Sequence, residues 1–200
     1  MKTKNAYREL PEGYREDRVI DAKDKKTVVR MNVIALGIMI AVVALLCVAL
    51  GLNPWKIITG SAGEGHTILA YLIFMITMVA YIILHELTHG AAYKLLTREK
   101  LTFGMTLTVA YCGVPDLYVN KKTALISVLA PFVVYNIVFG LMIALLTDPL
   151  YRFLSVVLLA IHISGCIGDL MVTKVLLFDY KKKDLLMNDT GPKQTFCVKE

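Results

Sequence analysis

The sequence predicts an all-α membrane protein of four transmembrane helices, with a small cytoplasmic-side β-hairpin between the second and third. Three observations carry that expectation. Of 200 residues, 56% are apolar and only 19% charged, which is too little charge for a water-soluble domain of this length. Charge is absent from long runs: 22 residues from Met31 to Leu52, 18 from Thr67 to Leu84, and the whole of Ala124 to Leu146. A further run, Leu150 to Leu177, carries only Arg152, His162, Asp169 and Lys174. At about 1.5 Å per residue against a hydrocarbon core of about 30 Å, each run can cross as a helix.

In chain order, residues 1–30 form a polar N-terminal segment of mixed charge and few aromatics, read as a solvated, partly disordered arm. A secretory signal would place its apolar stretch close behind the first basic residues, so the first helix, about 31–52, is expected to be kept. The second helix covers about 67–95. In the loop that follows, Leu101, Phe103, Met105, Leu107, Val109 and Tyr111 alternate with Thr102, Gly104, Thr106, Thr108, Ala110 and Cys112, the period of a strand. A turn at Gly113 to Asp116 would let Leu117 to Val119 return, giving a hairpin over about 101–119. Helices three and four cover about 124–146 and 150–177, so the four-helix domain spans 31–180 and a tail follows at 181–200.

Lys and Arg set the orientation. Nine precede the first helix, the next connection holds only Lys56, and the middle loop holds five; Arg152 stands at the last turn and six lie from Lys174 onward. The alternation predicts a multi-pass protein of the cell membrane with both termini and the middle loop cytoplasmic. The net charge of +6 is then accounted for by basic loops and anionic headgroups of the lipid bilayer, with no nucleic acid as partner. Cys47, Cys112, Cys166 and Cys197 stand singly, without metal or disulfide spacing.

The second run ends in YIILHELTHGAAYK, Tyr81 to Lys94. Two histidines and a glutamate in hydrocarbon each cost several kcal/mol unless paired, metal-bound or facing a water-filled cavity. From Thr67, His85 lies about 27 Å along the helix, in the cytoplasmic third of the membrane. His85 and His89, four residues apart, share one helical face and can reach one ion, with Glu86 beside them. In H-E-x-x-H the imidazoles hold Zn2+ and the glutamate takes the proton of an activated water. With four His and seven Glu in the chain, chance supplies roughly 0.003 such matches.

A catalytic zinc site needs a third protein ligand. Of the acidic residues downstream, only Asp169, in SGCIGDL, falls inside a predicted span. It stands nineteen residues past Leu150 and His85 stands eighteen past Thr67, so the depths match. Gly165 and Gly168 beside it would admit a close helix neighbour. The alternative is a carboxylate paired with Lys174 or Arg98. Elsewhere in the spans, Asn136 suits a substrate backbone or an oxyanion, or else joins helices. Pro131 kinks its helix and frees a carbonyl, and His162 suits a hydrogen bond across helices or a water path. The hairpin could clamp an extended peptide by strand addition, or lie against headgroups.

Three blocks resemble known membrane metalloproteases. HELTHG (His85 to Gly90), LAPFVVYN (Leu129 to Asn136) and SGCIGD (Ser164 to Asp169) are similar to the family of integral-membrane zincin peptidases, and more distantly to the site-2 proteases. The resemblance covers helices two to four. It implies zinc as cofactor, Asp169 as the aspartate ligand and a membrane protein or peptide as substrate. In site-2 proteases that aspartate is usually followed by glycine, whereas Asp169 is preceded by Gly168 and followed by Leu170.

The expected function is an integral-membrane zinc metalloprotease, with His85, His89 and Asp169 as ligands, Glu86 as the base and Asn136 as a substrate contact. A non-catalytic metal-binding scaffold and a zinc-dependent hydrolase of lipid-linked substrates stand as the alternatives.

Overall fold

In the computed structural model, residues 6–22, 24–60, 63–105, 110–181 and 184–200 are described. Side-chain oxygens set the helix starts. Asp24 accepts from Thr27 N, Asn53 from Lys56 N, Asn120 from Thr123 N, and Asp148 from the N–H groups of Leu150 and Tyr151, satisfying donors that lack an intrahelical partner. The elements that follow from these caps are α1 (Lys25–Ala49), α2 (Pro54–Thr59), α3 (Glu64–Thr97), α4 (Lys121–Leu145) and α5 (Pro149–Gly165). Beyond α5 lie α6 (Ile167–Lys174) and a π-turn, Val175–Asp179, closed by the i→i+5 bond from Tyr180 N to Val175 O. α3 stops where Arg98 takes a positive φ of 62° and Lys94 Nζ caps the carbonyls of Arg98 and Glu99.

The helices α1, α3 and α4 are each long and apolar enough to cross a membrane; α5 and α6, broken at Cys166, qualify together as a fourth. The single fourth helix expected over 150–177 is thus two helices. Apolar side chains on the long helices stay exposed, Leu45, Ile76 and Leu145 among them, as a hydrocarbon surround allows.

The protein is not all-α. A five-stranded antiparallel sheet has the order β1-β5-β6-β7-β2, built from β1 (Ala6–Tyr7), β2 (Tyr14–Asp21), β5 (Tyr118–Asn120), β6 (Leu185–Asp189) and β7 (Lys193–Lys199). The segment read as a disordered arm supplies two of these strands, and the tail supplies two more. β2 buries only Ile20, so it carries no period-two signal, and its order comes from backbone pairing with β7 over Tyr14↔Lys199 to Asp21↔Lys193. The hairpin is also corrected. Residues 106–109, the middle of the predicted long strand, lie outside the described residues; on either side, β3 (Thr102–Met105) and β4 (Ala110–Gly113) pair with each other. The returning segment at Tyr118 instead pairs with β1 and β6.

Two compact units emerge: Met1–Met31, Ile83–Pro131 and Gly168–Glu200 in one, Asn32–Ile82 and Phe132–Ile167 in the other. The first contains both sheets, and its core includes Tyr93, Val128, Leu176, Met187 and Phe196. The second is helical, with Tyr135, Phe139, Phe153, Val156 and Leu158 in its core.

In the first unit, the β6–β7 turn is tied to α3 by Asp189. Its carboxylate accepts from Tyr93 Oη (2.7 Å), Gly191 N (2.9 Å) and Gln194 Nε2 (3.2 Å), while its carbonyl accepts from Val114 N. Gly191 turns at φ +95°, a conformation glycine adopts without a Cβ clash. Tyr93→Phe leaves a buried carboxylate with one donor fewer and is expected to cost about 1–3 kcal/mol, read as a lower unfolding temperature of the detergent-solubilised protein. Burial pushes the Asp189 carboxyl above the usual carboxylate range. The folded form therefore holds this proton more tightly than the unfolded chain, and stability falls as pH rises from the ordinary carboxylate value through the raised one. Asp189→Asn should flatten that part of the stability–pH profile.

Candidate metal centre

His85 and His89 sit one turn apart on α3, with ring centroids 5.0 Å apart. Both are nearly buried. Asp169 enters from the first turn of α6 and faces both rings: His85 Nε2 lies 3.5 Å from Oδ2, and His89 Nε2 lies 3.5 Å from Oδ1. The carboxylate therefore meets the imidazoles, rather than Lys174 or Arg98, the partners of the alternative reading. The spacing exceeds that of an ordinary hydrogen bond, about 2.7–3.2 Å. It matches the separation of about 3.4 Å between neighbouring ligands when bonds of about 2.1 Å meet tetrahedrally on one ion. The donor atoms of all three residues lie within 4.8 Å of one another, so the donor set fits a single divalent ion.

Ring orientation is held from behind. His89 Nδ1 lies 2.8 Å from Ser127 O. A backbone carbonyl only accepts, so Nδ1 carries the hydrogen of this bond, and the ring is held with Nε2 turned to Asp169. An outer hydrogen bond of this kind fixes the tautomer of a metal-ligating histidine.

Glu86, part-buried, interacts electrostatically with His85, His89 and Asp169 and takes a backbone hydrogen bond from Cys112 of β4. The Cys112 N–H thus points to the glutamate and not across to β3, which sets the outer edge of β4 beside the centre. Gly90 permits β3 to approach: a Cβ there would come within 2.7 Å of Phe103 Cζ and 3.2 Å of Leu101 Cδ1. At the other end of the hairpin, a Cβ on Gly113 would meet the carbonyl oxygen of Asp189 at 2.8 Å. Burial and the charges of Asp189 and Glu86 push the Cys112 thiol up to about 12, so it is no nucleophile near neutral pH. Of the two glycines expected to admit a close neighbour, Gly168 does so, with a Cβ position 3.2 Å from Met31 Cε, while Gly165 faces open space.

Asn136 belongs to the helical unit. Its Nδ2 donates to Phe132 O (2.6 Å) and lies 3.3 Å from His162 Nε2, and the Tyr81 hydroxyl lies 2.9 Å from His162 Nδ1. The residues that sequence reasoning passed over are Ser127, whose contribution is a backbone oxygen, and the Tyr93–Asp189 pair. A signal for the latter existed: the apolar LLM and TFCV runs of the tail flank N-D-T-G-P, a turn sequence between two strands.

Residues 78–183 match a family model described as "Putative zincin peptidase". No curated protein and no solved structure matches the chain.

With one carboxylate facing both imidazoles, Asp169→Ala should lower bound zinc well below that of wild type, measured by metal analysis after dialysis against a weak chelator. Unchanged metal content would remove Asp169 from the ligand set.

Proposed function

The chain belongs to this zincin peptidase family, and from that premise we propose that it is an integral-membrane zinc metalloprotease that cleaves peptide bonds of membrane proteins within or near the bilayer. The observation that carries the proposal is the meeting of His85, His89 and Asp169, with each imidazole Nε2 3.5 Å from an Asp169 oxygen and all three donor atoms within 4.8 Å of one another, beside a glutamate on the helix of the two histidines.

In this reading His85 Nε2, His89 Nε2 and an Asp169 oxygen hold the ion. A zinc ion held there would supply a water with its pKa lowered towards about 7 and a Lewis acid for the substrate carbonyl. Glu86 accepts a proton from the water as its oxygen attacks the carbonyl carbon. When the C–N bond breaks, Glu86 returns the proton to the leaving nitrogen, so the base of the first step is the acid of the second.

An extended substrate segment would add to the outer edge of β4, where the Cys112 N–H already points at Glu86; main-chain pairing there holds a peptide largely independently of its side chains. Because a helix has no free N–H or C=O to offer, the segment cleaved must first unwind. Asn136 enters as a substrate contact through Oδ1, since Nδ2 is engaged by Phe132 O. The basic residues of the first segment, middle loop and tail favour a topology with the metal centre towards the cytoplasmic face.

The test is Glu86→Gln beside wild type, both purified in lipid nanodiscs, with zinc stoichiometry and cleavage of membrane-spanning peptides measured on the same samples. The variant should keep its zinc and lose cleavage by about 10²- to 10⁴-fold, the range for removal of a general base. Zinc retained with cleavage indifferent to Glu86 would sink the peptidase mechanism.

A further inference from the structure

Pro131 stands in the middle of α4 and is almost completely buried. A proline in a helix interior costs about 3 kcal/mol, so its presence here calls for a reason. In an α-helix the N–H of residue 131 would bond to the carbonyl four positions earlier, which is Ser127 O. Pro131 has no N–H to offer. The oxygen it leaves is the one that faces His89 Nδ1 at 2.8 Å.

Resting on the metal-site reading, we propose that Pro131 is a positioning residue for the metal centre: by deleting one helical hydrogen bond it reserves the Ser127 carbonyl for His89, which locks the ring with Nε2 turned to the ion. The spacing is forced. Only a residue without an N–H, four places after the accepting carbonyl, leaves that oxygen without its helical donor, and proline alone among the coded residues meets the requirement. A carbonyl has two lone pairs, so a restored N–H would not evict the imidazole outright. It would take the acceptance along the helix axis and leave the ring an off-axis, weaker bond. The ring would then be held less firmly, and the population with Nε2 turned to the metal would fall. The hydroxyl of Ser127 does not substitute for the carbonyl, since its Oγ is buried without a hydrogen-bond partner.

Two replacements separate the missing N–H from the proline ring. Pro131→Ala restores the donor, whereas a chain carrying lactic acid at position 131, introduced by nonsense suppression, has an ester there and restores none. Zinc affinity by chelator competition is expected to fall about 10- to 100-fold in Pro131→Ala and to stay within about threefold of wild type in the ester chain. In metal-free protein with ¹⁵N-labelled histidine, the His89 Nδ1–H should be strongly hydrogen-bonded and slow to exchange in wild type and in the ester chain, and faster to exchange in Pro131→Ala. Wild-type affinity and Nδ1–H exchange in Pro131→Ala would overturn the proposal. So would equal losses in both replacements, which would trace the effect to the ring. Should wild type itself bind no zinc, the metal reading fails, and the Nδ1–H exchange comparison in metal-free protein still decides the role of Pro131.

Discussion

Hydrocarbon tolerates an imidazole or a carboxylate only when something of complementary chemistry faces it. The apolar helices of this protein carry two imidazoles and a carboxylate that face one another, with both Nε2 atoms 3.5 Å from the Asp169 oxygens. Those atoms come from two helices far apart in the chain, and neither helix can shift by a turn without exposing an unpaired polar group to an apolar surround. The rest of the first unit can be understood as what holds α3 and α6 at that mutual depth. Val172, Val175 and Leu176 of the α6 segment share a core with Tyr93 of α3, Val128 of α4 and the strands β5, β6 and β7.

The sheet matters to the site for a mechanical reason. Strands fix position through many short backbone bonds, so a turn held by Asp189 and tied to Tyr93, one helical turn past His89, gives α3 an anchor in the sheet. Gly113 lets the end of β4 contact that turn, and Gly90 lets β3 lie against the zinc-motif helix. Between these two close approaches, the edge of β4 is held beside Glu86. Terminal segments that looked like solvated tails therefore belong to the framework of the centre, because β2 and β7 close the sheet on which β6 depends.

The helical unit uses polar groups differently. Asn136, His162 and Tyr81 are linked to one another by short contacts among aromatic rings, with Tyr135 and Phe139 packed around them. These contacts join helices within that unit, the role polar side chains commonly take between membrane helices. Arg152 follows the same rule, with Nε donating to Ile143 O at 2.9 Å.

The family, the zinc motif and the candidate spans were legible in the sequence because each depends on local information. An uncharged run declares its solvent over twenty residues, and H-E-x-x-H declares a shared face over five. The depth count set Asp169 level with His85 because helical rise converts residue number into height, and in the structure His85 Nε2 lies 3.5 Å from Asp169 Oδ2. Pro131 announced a freed carbonyl, but not who would take it. That choice, with the five-stranded sheet, the break at Cys166 and the antiparallel pairing of β3 with β4, was decided only by the tertiary structure. Strands such as β2 bury one side chain and draw their order from hydrogen bonds to a partner more than a hundred residues away. A backbone oxygen such as Ser127 O has no letter in the sequence; only packing determines which side chain it meets.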